Sequence, residues 1–147
     1  DPQNFGATLR SAVAMGATGV VWGEHHAAPL TPATFRASAG AVEHLPLFRV
    51  QSLRQALQWL LERGVQVVVL DSGAATAVDE ADMRRPLPLV VRAEDKGVSR
   101  GIRRLASTVV RLPTRSPIDS LNASVAAAVA LYEARRQRGR ASMIPNS

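Results

Sequence analysis

Three short segments of this 147-residue chain set polar side chains beside glycines or helix-start signals, in patterns that can serve a reaction. The first, Asn4-Phe5-Gly6-Ala7-Thr8-Leu9-Arg10, opens a helix and carries an arginine about two turns in. Local physics alone favours a capped helix with an exposed arginine. The second is Arg92-Ala93-Glu94-Asp95-Lys96-Gly97-Val98-Ser99, a polar, glycine-containing loop between a strand and a helix. Such a loop turns backbone N–H groups and a helix N-terminus toward the sheet edge, where an anion or nucleotide can dock, and it also reads as an ordinary βα turn. The third runs from Ile118 to Ala126, with polar Ser120, Asn122 and Ser124 leading into a long helix of small residues. That pattern fits capping, or a backbone packed tightly against a ligand or partner.

Other chemistries are poorly supplied. The chain has no cysteine, which removes disulfides, thiol nucleophiles and thiolate metal sites and fits a cytoplasmic protein. Ser72, His25 and Asp71 lack the G-x-S-x-G elbow of a hydrolase, and no phosphate-binding G-K-[ST] loop is present. His25 and His26 are adjacent, only His44 can join them, and no metal site is expected. Trp22 and Trp59 read as core residues rather than base-stacking platforms. No apolar run reaches the roughly 20 residues needed to cross a bilayer, and no signal-peptide pattern is seen.

Charge is unevenly placed. From Arg84 onward there are 13 Lys and Arg against 4 Asp and Glu, or +9, while residues 1–83 carry 5 against 8, or −3. A basic half on a small domain is the footprint of a polyanion binder, although a solvated surface gives the same tally.

Apolar strands alternate with amphipathic helices along the chain. Helices are expected over residues 4–15 with Gly16 as the stop, over 32–39, from a Ser52 cap to about Arg63, over Ser99–Leu105, and from about Asp119 to Arg138. Strands are expected at 19–23, 47–50, 65–70, 87–91 and 108–112, with 74–86 as a loop holding at most one helical turn. The last helix places Leu121, Val125, Val129 and Tyr132 on one face. Its alanine face, Ala123, Ala126, Ala127 and Ala130, suits close helix packing in a dimer or an ordinary core. The fold class is therefore α/β, with a parallel sheet covered on both faces and ligands held outside the strand C-termini. Residues 1–139 form the domain and 140–147 a tail. Because Asp1-Pro2-Gln3-Asn4 opens directly on a helix, a strand is expected upstream of residue 1.

Taken together and in this order, the segments resemble the SpoU/TrmH branch of the SPOUT RNA methyltransferases. The first family motif reads approximately D-P-x-N-x-G-x-x-x-R, matched by Asp1, Pro2, Asn4, Gly6 and Arg10. A middle Ser-x-Gly-Ala pattern is matched by Ser38 to Ala41. The second motif is matched at Glu94, Gly97 and Ser99, and the third at Ser120, Leu121, Asn122, Ser124, Val125, Ala126 and Ala128. The likeness covers nearly the whole chain.

That resemblance implies a deep C-terminal trefoil knot that binds S-adenosyl-L-methionine, a homodimer with each site completed across the interface, and no metal. The implied activity is methylation of a ribose 2′-hydroxyl in ribosomal or transfer RNA. By resemblance Arg10 lies nearest the hydroxyl, Glu94 and Asn122 orient the site, Asn4 and Ser38 support it, and Ser120 touches substrate or cofactor. Arg92, Gly97, Leu112, Ser120, Leu121 and Asn122 would hold the cofactor, while Arg100, Arg103, Arg104 and Arg115 are expected phosphate contacts. Two departures stand out: Arg92 replaces the glycine that opens the second motif, and Asp95 stands where another glycine is common. A side chain at the first claims volume beside the cofactor. The alternative is thus a catalytically weak or cofactor-free RNA-binding homologue.

Overall fold

A computed structural model describes residues 2–23, 31–91 and 98–141. Helix α1, Pro2–Ala14, starts on a proline, which suits a first helical turn. It ends as the sequence predicts: Gly16 takes a φ of 83° and donates to Val13 O, and Ala17 reaches back to Ala12 O. This is a Schellman closure, in which a left-handed glycine satisfies the last carbonyls. Strand β1 (Val20–Gly23) leads to α2 (Pro32–Ser38), a short 3-10 turn at Ala41–His44, and β2 (Leu47–Val50). Helix α3, Leu53–Glu62, is capped by the Ser52 hydroxyl accepting from Gln55 N at 3.1 Å. Gly64 closes it, again with a positive φ, at 78°.

The second half supplies β3 (Val68–Leu70), β4 (Thr76–Ala77), β5 (Leu89–Val90), α4 (Arg100–Arg103), β6 (Thr108–Arg111) and α5 (Ala123–Ala141). Every pairing is parallel. Among the described residues the strands pair in two groups rather than in the expected single sheet: β1 with β2, and β4-β6-β3-β5. The segment expected to be a loop contributes β4 and a 3-10 turn at Val78–Glu80, since Ala77 and Val78 are buried.

Alternation along the central strands divides the core. Val68, Leu70 and Val110 point toward Ala130 and Ala134 of α5, while Val67, Val69 and Val90 point toward Leu57 of α3 and Ile102 of α4. A third cluster joins Leu9 and Ala12 of α1 to Leu45, Leu47 and Leu131. Burial on both faces makes parallel strands near-continuous apolar runs, as these are.

The last helix corrects both of its expected ends and decides between the two readings of its alanine side. It begins at Ala123 rather than near Asp119, and it continues past Gly139 to Ala141. Its alanine side is core: Ala127 and Ala130 are 1% and 0% exposed. Val125, Val129 and Tyr132 face outward at 48%, 44% and 56% exposure. The sheet approaches α5 closely enough that only small side chains fit between them, so the larger apolar ones turn away. Trp59 is corrected too. It is 55% exposed, with the Arg63 guanidinium stacked 3.6 Å from its ring centre, whereas Trp22 meets Phe5 edge to face at 5.4 Å between ring centres.

Gly6 fixes how close α1 comes to α2. A Cβ there would lie 2.5 Å from Ala37 Cβ, 2.8 Å from Thr34 O and 2.9 Å from Ala37 C. Two of those neighbours are backbone and cannot swing aside. Gly6→Ala should therefore cost about 1–3 kcal/mol by overpacking, lowering Tm by roughly 3–10 °C in a domain of this size. Differential scanning calorimetry reads it, and an unchanged Tm would mean that the helices part without penalty.

Candidate functional site

The first and third segments meet. Asn122 precedes the first turn of α5, and its Oδ1 accepts from Ser124 N at 2.9 Å. Asn122 is thus the N-cap of α5, which is why the helix starts at Ala123. Ser124 Oγ donates to the same Oδ1 at 2.7 Å and lies 3.4 Å from Asn4 Oδ1 on α1. Asn4 is also anchored through its carbonyl, which accepts from Thr8 Oγ1 at 2.8 Å. Two segments more than a hundred residues apart are therefore joined by one serine hydroxyl.

Around this junction the predicted residues divide. Ser120 is exposed, while Leu112 and Leu121 are half-buried. Leu112 packs against the cluster beneath α5. Arg10 is exposed on α1. Six residues separate it from Asn4, so the two project roughly 120° apart around the helix. Ser38 is 0% exposed and donates to Phe35 O at 2.8 Å within α2. Arg92, Glu94 and Gly97 lie outside the described residues, as do Asp95 and the His25–His26 pair. Among the described residues no group of three His, Cys, Asp or Glu can hold a metal ion. None of the described helices is long and apolar enough to cross a membrane.

The arginines expected to contact phosphate are all exposed, and one of them is tied to a strand end. Arg100, Arg103 and Arg104 are exposed on or just after α4, whose first turn is capped by Ser99 accepting from Ile102 N. Arg103 is paired with Asp71, at the end of β3. That carboxylate also accepts from Gly73 N at 3.1 Å. Arg115 is exposed beyond β6. Arg54 joins the group unannounced, with its Cδ 3.9 Å from the point where a Cβ on Gly101 would lie. It lies on another helix 47 residues earlier, so nothing local in sequence pointed to it. Ser124 was legible only as part of a motif, with no role attached.

With this geometry in view, comparison with known proteins is decisive. The profile described as the SpoU rRNA Methylase family matches residues 1–132. The chain belongs to that family. An uncharacterized tRNA/rRNA methyltransferase of Mycobacterium ulcerans is 45% identical over 138 residues, covering 94% of this chain but only 44% of the relative. The chain thus spans less than half the length of that relative. Among solved structures, the SpoU methyltransferase AviRb of Streptomyces viridochromogenes, in complex with AdoMet, superposes with a TM-score of 0.86. It is 34% identical and covers 94% of this chain and 56% of its own. An RNA 2′-O ribose methyltransferase superposes at 0.84 with 37% identity, covering 94% of this chain and 53% of its own. The parallel α/β arrangement of this SpoU member is therefore that of solved relatives.

Proposed function

We propose that the chain is the catalytic domain of an RNA (ribose-2′-O-)methyltransferase using S-adenosyl-L-methionine and acting on ribosomal or transfer RNA in the cytoplasm. The observation that carries this reading is the junction of Asn4 with Asn122 through Ser124, since those residues come from the first and third motifs shared with the family. The donor set suits the cofactor. Half-buried Leu112 and Leu121 offer apolar contact to an adenosine, and the Asn122 amide offers N–H donors to a polar oxygen. When bound, the cofactor supplies an electrophilic methyl on a sulfonium. The ribose hydroxyl is a very weak acid and needs electrostatic help to become a nucleophile. Arg10, always charged, gives that help by holding the hydroxyl and a neighbouring phosphate in place rather than by taking the proton outright. Glu94 and Ser120 complete the orientation of the substrate.

Two further features belong to the same reading. The C-terminal segment forms the deep trefoil knot of the SPOUT fold around the cofactor. The protein works as a homodimer, which the exposed Val125, Val129 and Tyr132 stripe and the divergent directions of Asn4 and Arg10 support: a second copy can supply Arg10 to a site built on Asn4 and Asn122. A cofactor-free homologue is the competing outcome, raised by Arg92.

Arg10→Ala should lower methyl incorporation into RNA at least a hundredfold while calorimetry gives a cofactor Kd within about twofold of wild type, because the lost interaction belongs to the transition state. Retained turnover would remove Arg10 from the mechanism. Undetectable cofactor binding by wild type, restored in Arg92→Gly, would identify the cofactor-free homologue.

RNA affinity should rest on Arg54, Arg100 and Arg104 more than on Arg103, whose charge Asp71 already matches. Each phosphate contact adds about 0.9 to the slope of log affinity against log salt on duplexes and about 0.7 on single strands. Filter binding at several salt concentrations should show the triple alanine variant losing two to three contacts of slope. Equal losses from Arg103→Ala alone would contradict the assignment.

A further inference from the structure

We propose that Ser124 is a positioning residue that fixes the Asn122 amide with its NH2 toward the ligand, so that the ligand atom meeting Asn122 is a hydrogen-bond acceptor. The proposal rests on the methyltransferase reading and adds to it the direction of one contact. A carbonyl oxygen has two lone pairs. Asn122 Oδ1 spends both on Ser124, accepting from its N–H at 2.9 Å and its hydroxyl at 2.7 Å. Only the two N–H donors of Nδ2 remain, and they have no partner among the described residues. A carboxylate, ribose or phosphate oxygen satisfies them, whereas another donor would be repelled.

The hydroxyl does more than repeat the cap. Capping needs only the backbone N–H of Ser124, which any residue supplies. The Oγ adds a second bond on the same oxygen and a shared, longer contact of 3.4 Å with Asn4 Oδ1 on α1. It therefore adds to the hold of the cap on the amide and ties its direction to α1. Ser124 is half-buried at the start of α5, where that helix meets α1. Removing the hydroxyl alone should leave the helix and the fold intact, with the bond from Ser124 N as the single remaining hold on an amide that then moves more freely.

The experiment compares wild type, Ser124→Ala and Ser124→Thr. Methyl transfer from S-adenosyl-L-methionine to RNA from cells lacking the gene gives kcat and KM, and 15N NMR follows the Asn122 side-chain amide. For Ser124→Ala, kcat should fall roughly five- to tenfold, the effect of one hydrogen bond. KM should change less than twofold and Tm by no more than a few degrees, and Ser124→Thr should restore kcat. The Asn122 NH2 pair should be rigid in wild type and in the Thr variant and mobile in the Ala variant. Unchanged kcat in Ser124→Ala, failure of Thr to rescue, or an Asn122 amide equally rigid in all three would overturn the proposal. A wild type that transfers no methyl group refutes the methyltransferase reading instead, and the NMR comparison still decides whether Ser124 holds the amide.

Discussion

The contact between α1 and α5 is the constraint on which the rest depends. Leu9, Ala12 and Leu131 give it an apolar floor, and Asn4, Ser124 and Asn122 give it a polar end at the strand C-terminal edge. Neither helix can shift by a turn without burying a polar group unpaired or opening a gap in the core, and both penalties run to a few kcal/mol. Gly6 adds a second condition, because α1 can lie where it does only if α2 packs against a residue with no side chain. The motif glycine is thus explained by packing, while its neighbours in the same motif differ: Asn4 is half-buried against Ser124 and Arg10 is exposed.

Much of this was legible in the sequence, for local physical reasons. Gly16 and Gly64 stop helices because each reaches a left-handed conformation that other residues adopt at a cost, and Ser52 starts one because its oxygen satisfies an orphan N–H. The strands near 47–50 and 65–70 announce themselves as apolar runs. The family likeness is confirmed over nearly the whole chain. What periodicity could not reveal was direction. Val125, Val129 and Tyr132 have the spacing of a core face, yet the alanines opposite them are the core, because the size of the gap to the sheet is a tertiary property. Trp59 lies close to its helix's apolar face, a position whose spacing predicts core. The structure leaves it outside, where Arg63 covers one ring face.

The basic half likewise divides once partners are visible. Counting charge treats Arg100, Arg103 and Arg104 as equivalent, but Asp71 claims Arg103 and holds it beside the Asp71-Ser72-Gly73 turn. Near Gly101, Arg54 arrives from α3 and restores a cation that no linear count assigns to this surface. An arginine held by a carboxylate is fixed in direction, whereas Arg54, Arg100 and Arg104 keep theirs adaptable, so the surface mixes a rigid cation with mobile ones.

The position of the transferred methyl group tests the account most directly. RNA labelled by the protein from methyl-labelled S-adenosyl-L-methionine is digested in alkali, a cleavage that needs a free 2′-hydroxyl. Label recovered in an alkali-stable dinucleotide, giving one 2′-O-methyl nucleoside by mass spectrometry, is the predicted result. Label in mononucleotides, which places the methyl on a base, or no label at all with intact folded protein, would contradict it.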